Sequence, residues 1–346
     1  MNPIIFVLLC FAALGLFDKM FHNKLGLASS FDKGIITMGD FMLSVGGFYS
    51  IAIAFLNNHS GLFQNKEMII TSLLAPDLGG YSIVESNMQS NGILIFCGVL
   101  LASTLGGLIS FQLPIFLNEL DKNDLTYYLK GIIYGILGLL PTLIVSGLML
   151  QIEHFFISFL PVIFICAILI GLFFISFKTL ITVLTIFSKI VQLLGYIFFF
   201  LLCLTFFFNM NFTNMTLIDE TLRIVFQMSI TVCGSLVFCE IILRNFSKQI
   251  EKAGKILQID KYSVMGIILS FGTSIAMLPL FSKMNNKGKI LNAAFSLSGA
   301  FVFGGQLGFI ASVNPQSVTW FIVVKITAGL LGIFIANIFE KQSVTQ

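Results

Sequence analysis

The chain has 346 residues, 57% hydrophobic and only 10% charged, with a formal net charge of +3 and a mean hydropathy of +0.99. Soluble domains carry about 25% charged residues, so a water-soluble globule is excluded. The small basic excess sits in loops between apolar runs and not on one face, which gives nucleic-acid binding no footing.

Many apolar runs reach the roughly 18 residues that cross a bilayer as helix. They lack the period-2 alternation of a membrane barrel. The expected fold class is all-α: a polytopic transmembrane helical bundle, with residues 1–346 forming one integral membrane transport domain.

The first run, Pro3 to Phe17, has no Lys or Arg before it and no convincing small-residue cleavage site after it. It reads as a first span and not as a signal peptide. Full spans are expected at about 3–21, 35–56, 92–117, 130–151, 155–177, 189–208, 222–243, 288–313 and 318–339. Two further segments, 68–85 and 263–282, are short and broken by polar residues, Gly and Pro. The breaks are Leu73-Leu74-Ala75-Pro76-Asp77-Leu78-Gly79-Gly80 and Phe271-Gly272-Thr273-Ser274-Ile275-Ala276-Met277-Leu278-Pro279.

The stretches downstream of the two breaks are also alike. An apolar segment with a Gly pair comes first (Gly106-Gly107; Gly304-Gly305), then a segment with Lys and Gly-x-x-Gly (Lys130, Gly135, Gly138; Lys325, Gly329, Gly332). Interrupted hydrophobic segments at corresponding places in two halves point to the binding site of a transporter. The halves run over about 1–151 and 155–346.

Charge segregation sets the topology. If both broken segments re-enter and the loop 244–262 is cytoplasmic, sixteen of the 19 Lys and Arg face the cytoplasm, and only Lys66 and Arg223 face out. The positive-inside rule favours that arrangement. It gives nine crossings, an outside N-terminus, an inside C-terminus and two repeats of inverted topology. Irregular backbone at membrane depth is tolerated where protein or a water-filled cavity surrounds it.

Ionisable residues in the bilayer cost about 2.5–3.5 kcal/mol each on insertion scales and are functional candidates. Asp77 lies between Pro76 and Gly79-Gly80, where a carboxylate beside freed carbonyls suits a small cation; a helix N-cap is the plainer role. Asp40 lies a few residues into the second span, where a snorkelling or water-facing residue near the cytoplasmic end is the plainer role. Glu240 stands four residues before Arg244, the spacing of an interfacial ion pair. Lys325 either balances a carboxylate or reaches the interface with its long stem.

Thr273 and Ser274 form the polar tip of the second break, although membrane hydroxyls often bond their own helix. Gly305 and Gln306 offer close approach and a neutral amide, against a plain packing role. The six cysteines form no Cys-x-x-Cys pair, so neither a disulfide framework nor a metal site is expected. No cofactor motif and no catalytic constellation is present.

Three stretches carry a resemblance: Phe31-Asp32-Lys33-Gly34-Ile35-Ile36-Thr37-Met38-Gly39, Leu74 through Gly80, and Met284-Asn285-Asn286-Lys287-Gly288-Lys289-Ile290-Leu291-Asn292-Ala293-Ala294-Phe295, continuing through Ser298-Gly299-Ala300-Phe301 to Gly305-Gln306-Leu307-Gly308-Phe309. In these the chain resembles the ethanolamine-utilization permease family, EutH, as a divergent member. The resemblance implies a permease in the bacterial cytoplasmic (inner) membrane that moves ethanolamine. It places Asp77 at the aspartate of the family's Asp-x-Gly-Gly turn. In the family pattern an Asn-Asn pair stands where this chain has Thr273-Ser274, and an Asp-His pair where it has Gly305-Gln306.

Ethanolamine crosses as an ammonium, so a carrier must replace water with fixed acceptors. The expected site is Asp77, with Asp40 as a second acid, for the ammonium; Thr273, Ser274 and Gln306 for the hydroxyl; and Gly79, Gly80 and Gly305 for close backbone approach. The expected partners are that small amine and the lipid bilayer, and a homo-oligomer is left open. The alternatives are a transporter of another small polar metabolite and a non-transporting membrane scaffold or receptor.

Overall fold

A computed structural model describes residues 3–52, 54, 66–74, 79–86 and 90–342. Most of those residues are helical, and none of them forms a strand. In chain order the helices are α1 (Pro3–Met20), α2 (28–52), α3 (Glu67–Leu73), α4 (Gly80–Ser86), α5 (Asn91–Leu117), α6 (Lys122–Met149), α7 (Phe155–Ile175) and α8 (Phe177–Phe208). They continue with α9 (Met215–Asn245), α10 (Ser247–Leu257), α11 (Lys261–Ser270), α12 (Leu278–Phe281), α13 (Asn286–Gly299), α14 (Gly305–Val313) and α15 (Val318–Gln342).

Seven of these stretches are long and apolar enough to cross a membrane: α1, α5, α6, α7, α8, α9 and 315–340. The protein is a multi-pass membrane protein. Its outer surface is apolar, as lipid requires: Phe174 and Ile175 at the end of α7 are 76% and 85% exposed.

Three sequence-based boundaries are corrected. The expected span 288–313 is two helices, α13 and α14, separated by an unwound stretch at residues 300–304. Gly299 and Gly304-Gly305 are poor helix formers, and backbone partners from elsewhere replace the lost helical bonds. The expected loop at 178–188 is helical, because α8 begins immediately after Ser176, whose hydroxyl accepts from Thr179 N–H. At 32 residues α8 is about 48 Å long, more than a bilayer core needs. The loop 244–262 contains α10, which buries Ile250 and Gly254 and exposes Lys248, Lys252 and Glu251. Such a charged amphipathic helix suits the membrane interface.

Small residues set how closely the helices pack. The glycines of α6 receive α13: a methyl on Gly131 would stand 2.3 Å from Ile290 O, and one on Gly135 would stand 2.8 Å from Ala294 O. One turn further, Gly138 meets Gly332 of α15, with 2.4 Å to its backbone nitrogen. The Gly-x-x-Gly motifs of the two halves therefore meet each other in a tight α6–α13–α15 unit. Polar ties hold one end of that unit: Lys289 to Asp124 at 2.5 Å and Lys130 to Glu340 at 2.8 Å.

The run Met284 to Gly288 is explained by capping. Asn285 accepts from Gly288 N–H to start α13, while Asp260 starts α11 and also accepts from Asn285 N–H. The second unit is α1, α2, α9 and α14. In it Asp18 accepts from Leu25, Leu27 and Ala28 N–H at the start of α2. Arg244 pairs with Glu240 at 2.6 Å, as their spacing predicted, and donates to Leu25 and Gly26 carbonyls.

Candidate functional site

Each broken segment packs on the first glycine of the Gly pair in its own half. In the first half, α3 ends at Leu74, whose backbone is extended (φ −123°, ψ 132°). A methyl on Gly106 of α5 would lie 2.1 Å from Leu74 O and 2.5 Å from Thr71 O. Only glycine lets α5 come this close to the end of α3. The turn into α4 contains Gly79 at φ +98°, a conformation that favours glycine. Gly79 and Gly80 are both buried. Asp77 lies outside the described residues. Along the contact, α5 is wound more loosely than an α-helix at Leu94–Gly106 and Leu108–Gln112, a departure that often marks functional positions.

In the second half, α11 ends at Ser270, and Thr273 is extended (φ −160°, ψ 133°) before a short turn of helix at Ser274–Met277. The unwound stretch 300–304 runs against it. Phe301 N–H donates to Ser270 O (3.0 Å) and Phe303 N–H to Phe271 O (2.9 Å). Phe301 holds a left-handed φ of 61°, and a methyl on Gly304 would lie 1.7 Å from Gly272 O. Two interrupted helices thus cross at their interruptions and supply each other's missing hydrogen bonds.

Gln306 joins the halves. Its side chain is 3% exposed, and its Nε2 would lie 2.8 Å from a methyl on Gly107 of α5. Lys325 of α15, 1% exposed, donates to Gln306 Oε1 (2.9 Å) and to Ser103 O of α5 (2.7 Å). The choice left open for Lys325 is therefore settled against reaching the interface. Its ammonium is 5.3 Å from the Phe321 ring centroid.

Of the other expected residues, Gly305 lies under the Phe41 ring, with 2.7 Å from a methyl there to the ring. Thr273 and Ser274 are buried at the crossing, and Ser274 Oγ has no hydrogen-bond partner among the described residues. Such a group costs about 1–3 kcal/mol unless something pairs with it. Asp40 is on the exposed side of α2. Its neighbour Phe41, not Asp40, is brought against Gly305.

Sequence reasoning missed Ser103, which acts through its backbone carbonyl and carries no side-chain signal. It also missed an aromatic row midway along α14. There Phe309 lies edge-on to Tyr49 of α2 (6.1 Å) and to Tyr81 of α4 (5.9 Å). Tyr81 OH faces Glu85 Oε1 at 3.4 Å, a contact that the i,i+4 spacing signals.

Similarity to known proteins spans the same extent as this architecture. The family model described as "Ethanolamine utilisation protein, EutH" matches residues 1–339. The chain belongs to the EutH family. It is 29% identical to the "Probable ethanolamine permease EutH" of Listeria monocytogenes serotype 1/2a (strain 10403S), with 98% of this chain and 95% of that protein covered. It is 26% identical to the "Uncharacterized protein YxeR" of Bacillus subtilis (strain 168), covering 95% and 92%. It is 24% identical to the "Probable ethanolamine permease EutH" of Escherichia coli (strain K12), covering 93% and 87%. No solved structure matches. The family places this chain among membrane permeases.

Proposed function

We propose that this chain is a cytoplasmic-membrane permease for a small primary amine, ethanolamine foremost, working by alternating access at a mid-membrane site served by its two broken segments. The observation that carries this reading is the pair of interrupted helical segments, each closed onto the first glycine of a Gly pair, together with Gln306 set against Gly107 and held by Lys325. Membership of EutH, and the name "Probable ethanolamine permease EutH" borne by relatives, support the choice of substrate class.

In this reading Asp77 accepts the substrate's ammonium. Thr273 and Ser274 take its hydroxyl, and Gln306 is oriented by Lys325. Gly79, Gly80 and Gly305 keep backbone within reach, and Asp40, exposed on α2, serves as an acid on the entry path. The α6–α13–α15 unit is the fixed frame, because its backbones leave no room to slide. The two breaks open by turns toward opposite sides, as inverted repeats would. The N-terminus is outside and the C-terminus inside. The row Tyr49–Phe309–Tyr81 closes the path midway along α14.

The test is uptake of labelled ethanolamine into liposomes holding the purified chain, across a pH series. Saturable uptake that Asp77→Asn abolishes without unfolding the protein supports the reading; uptake unchanged by Asp77→Asn removes the carboxylate from it. A second reading is favoured by Lys325. A fixed cation beside Gln306 disfavours a second cation, so a neutral or anionic polar metabolite is the competing substrate class. Competition of the labelled amine by a panel of uncharged and anionic solutes separates the two.

A further inference from the structure

A cavity of about 600 Å³ lies away from the crossing, where α3, α5 and the α6–α7 connection meet. It has room for about twenty waters at about 30 Å³ each, far more than a small amine fills. One wall is polar and carries both signs: Lys66, Glu67, Glu153 and His154, with Ser90 and Gln151 beside them. The other is apolar and includes Ile69, Ile93, Ile157 and Pro161.

The place in the fold gives the depth. The spans α5 and α7 begin here, at Asn91 and Phe155, and α6 ends here at Met149. The polar wall is therefore at a membrane face, and the apolar wall runs from it toward the hydrocarbon. Ile157 is 75% exposed on the lipid-facing side of α7, so the cavity opens sideways to lipid and not only to water. Glu67, by contrast, is 7% exposed, a carboxylate held almost out of solvent on the cavity wall. His154 precedes α7 in a left-handed conformation (φ 50°), and its side chain takes no part in capping that helix.

We propose that this cavity holds the headgroup of a phospholipid that carries a primary ammonium. The phosphate sits beside Lys66 and His154, and the ammonium beside Glu67 and Glu153. The acyl chains leave past Ile157 and Pro161 along α7. Charge complementarity selects the headgroup: a wall with two carboxylates and two basic groups suits a zwitterion better than an anionic lipid. A buried carboxylate gains a short charge-assisted hydrogen bond from an N–H donor, which a quaternary ammonium lacks. The inference does not depend on which solute the crossing transports.

Lipid retention by the purified full chain tests it, read by native mass spectrometry against a titration of phosphatidylethanolamine, phosphatidylcholine and phosphatidylglycerol with identical acyl chains. Apparent affinity for phosphatidylethanolamine is expected to exceed that for phosphatidylcholine about tenfold, the worth of one hydrogen bond to a charged group. Glu67→Gln with Glu153→Gln should erase that preference. Ile157→Trp, on the exposed face where folding is not at stake, should weaken retention of phosphatidylethanolamine by filling the exit for its chains. Equal affinity for the three lipids would overturn the proposal. So would a preference that survives both sets of substitutions. Binding of free glycerophosphoethanolamine as tight as that of the lipid would also overturn it, making the cavity a site for a soluble headgroup.

Discussion

Replacing Gly304 with alanine strikes the crossing where backbone meets backbone. The new methyl would stand 1.7 Å from the Gly272 carbonyl oxygen, whereas an ordinary C···O contact is about 3.3–3.6 Å. No side chain can rotate away, so the two segments must part by about 1.7 Å. The bonds from Phe301 N–H to Ser270 O and from Phe303 N–H to Phe271 O, now 3.0 and 2.9 Å, would then exceed hydrogen-bonding distance. Losing two such bonds costs about 1–3 kcal/mol. Gln306, two residues on, would move away from Lys325. Gly304→Ala should therefore raise KM for uptake at least about tenfold, by the 1.4 kcal/mol rule, and lower the unfolding temperature of the purified protein. Gly39→Ala is the control: nothing lies within 4 Å of a methyl there, and alanine favours helix by up to about 1 kcal/mol. Wild-type uptake and unfolding temperature in Gly304→Ala would refute the idea that a closed backbone crossing underlies transport.

Lys325→Met should cut liposome uptake by about tenfold or more, because Gln306 Oε1 and Ser103 O both lose their donor; uptake unchanged would leave Lys325 a purely structural cation. Lys289→Met breaks the pair with Asp124, whose two side chains are each about one-tenth exposed. It should destabilise the protein by about 3–5 kcal/mol in thermal unfolding while KM stays near that of the parent, since the pair ties α6 to α13 away from the crossing. Single cysteines at Lys248 and Lys287 in a cysteine-free background should be labelled by an impermeant maleimide from the same, cytoplasmic, side. Labelling from opposite sides would mean that the segment between them crosses fully and would end the inverted-repeat topology.

The sequence alone determined membrane residence, the all-α class, the positions of the two breaks at Leu74 and Thr273, and the Glu240–Arg244 pair. Each of these is a local property: apolar run length, Gly and Pro punctuation, or i,i+4 spacing acts within a few residues of itself. Family resemblance added the permease class, carried by motifs whose order survives in the chain. Tertiary structure decided what local signals cannot carry. The expected span 288–313 read as one continuous crossing, yet it unwinds at 300–304, where the end of α11 offers Ser270 and Phe271 carbonyls that replace the helical bonds. Lys325 looked equally suited to the interface or the interior, and its placement rests on a carbonyl 222 residues away, at Ser103. The glycines of α6 and α15 read as a packing motif, but only the assembled bundle shows that they pack on α13 and on each other. Hydropathy records how much each residue prefers lipid to water, whereas a crossing forms where distant backbone groups find partners that neither segment can supply for itself.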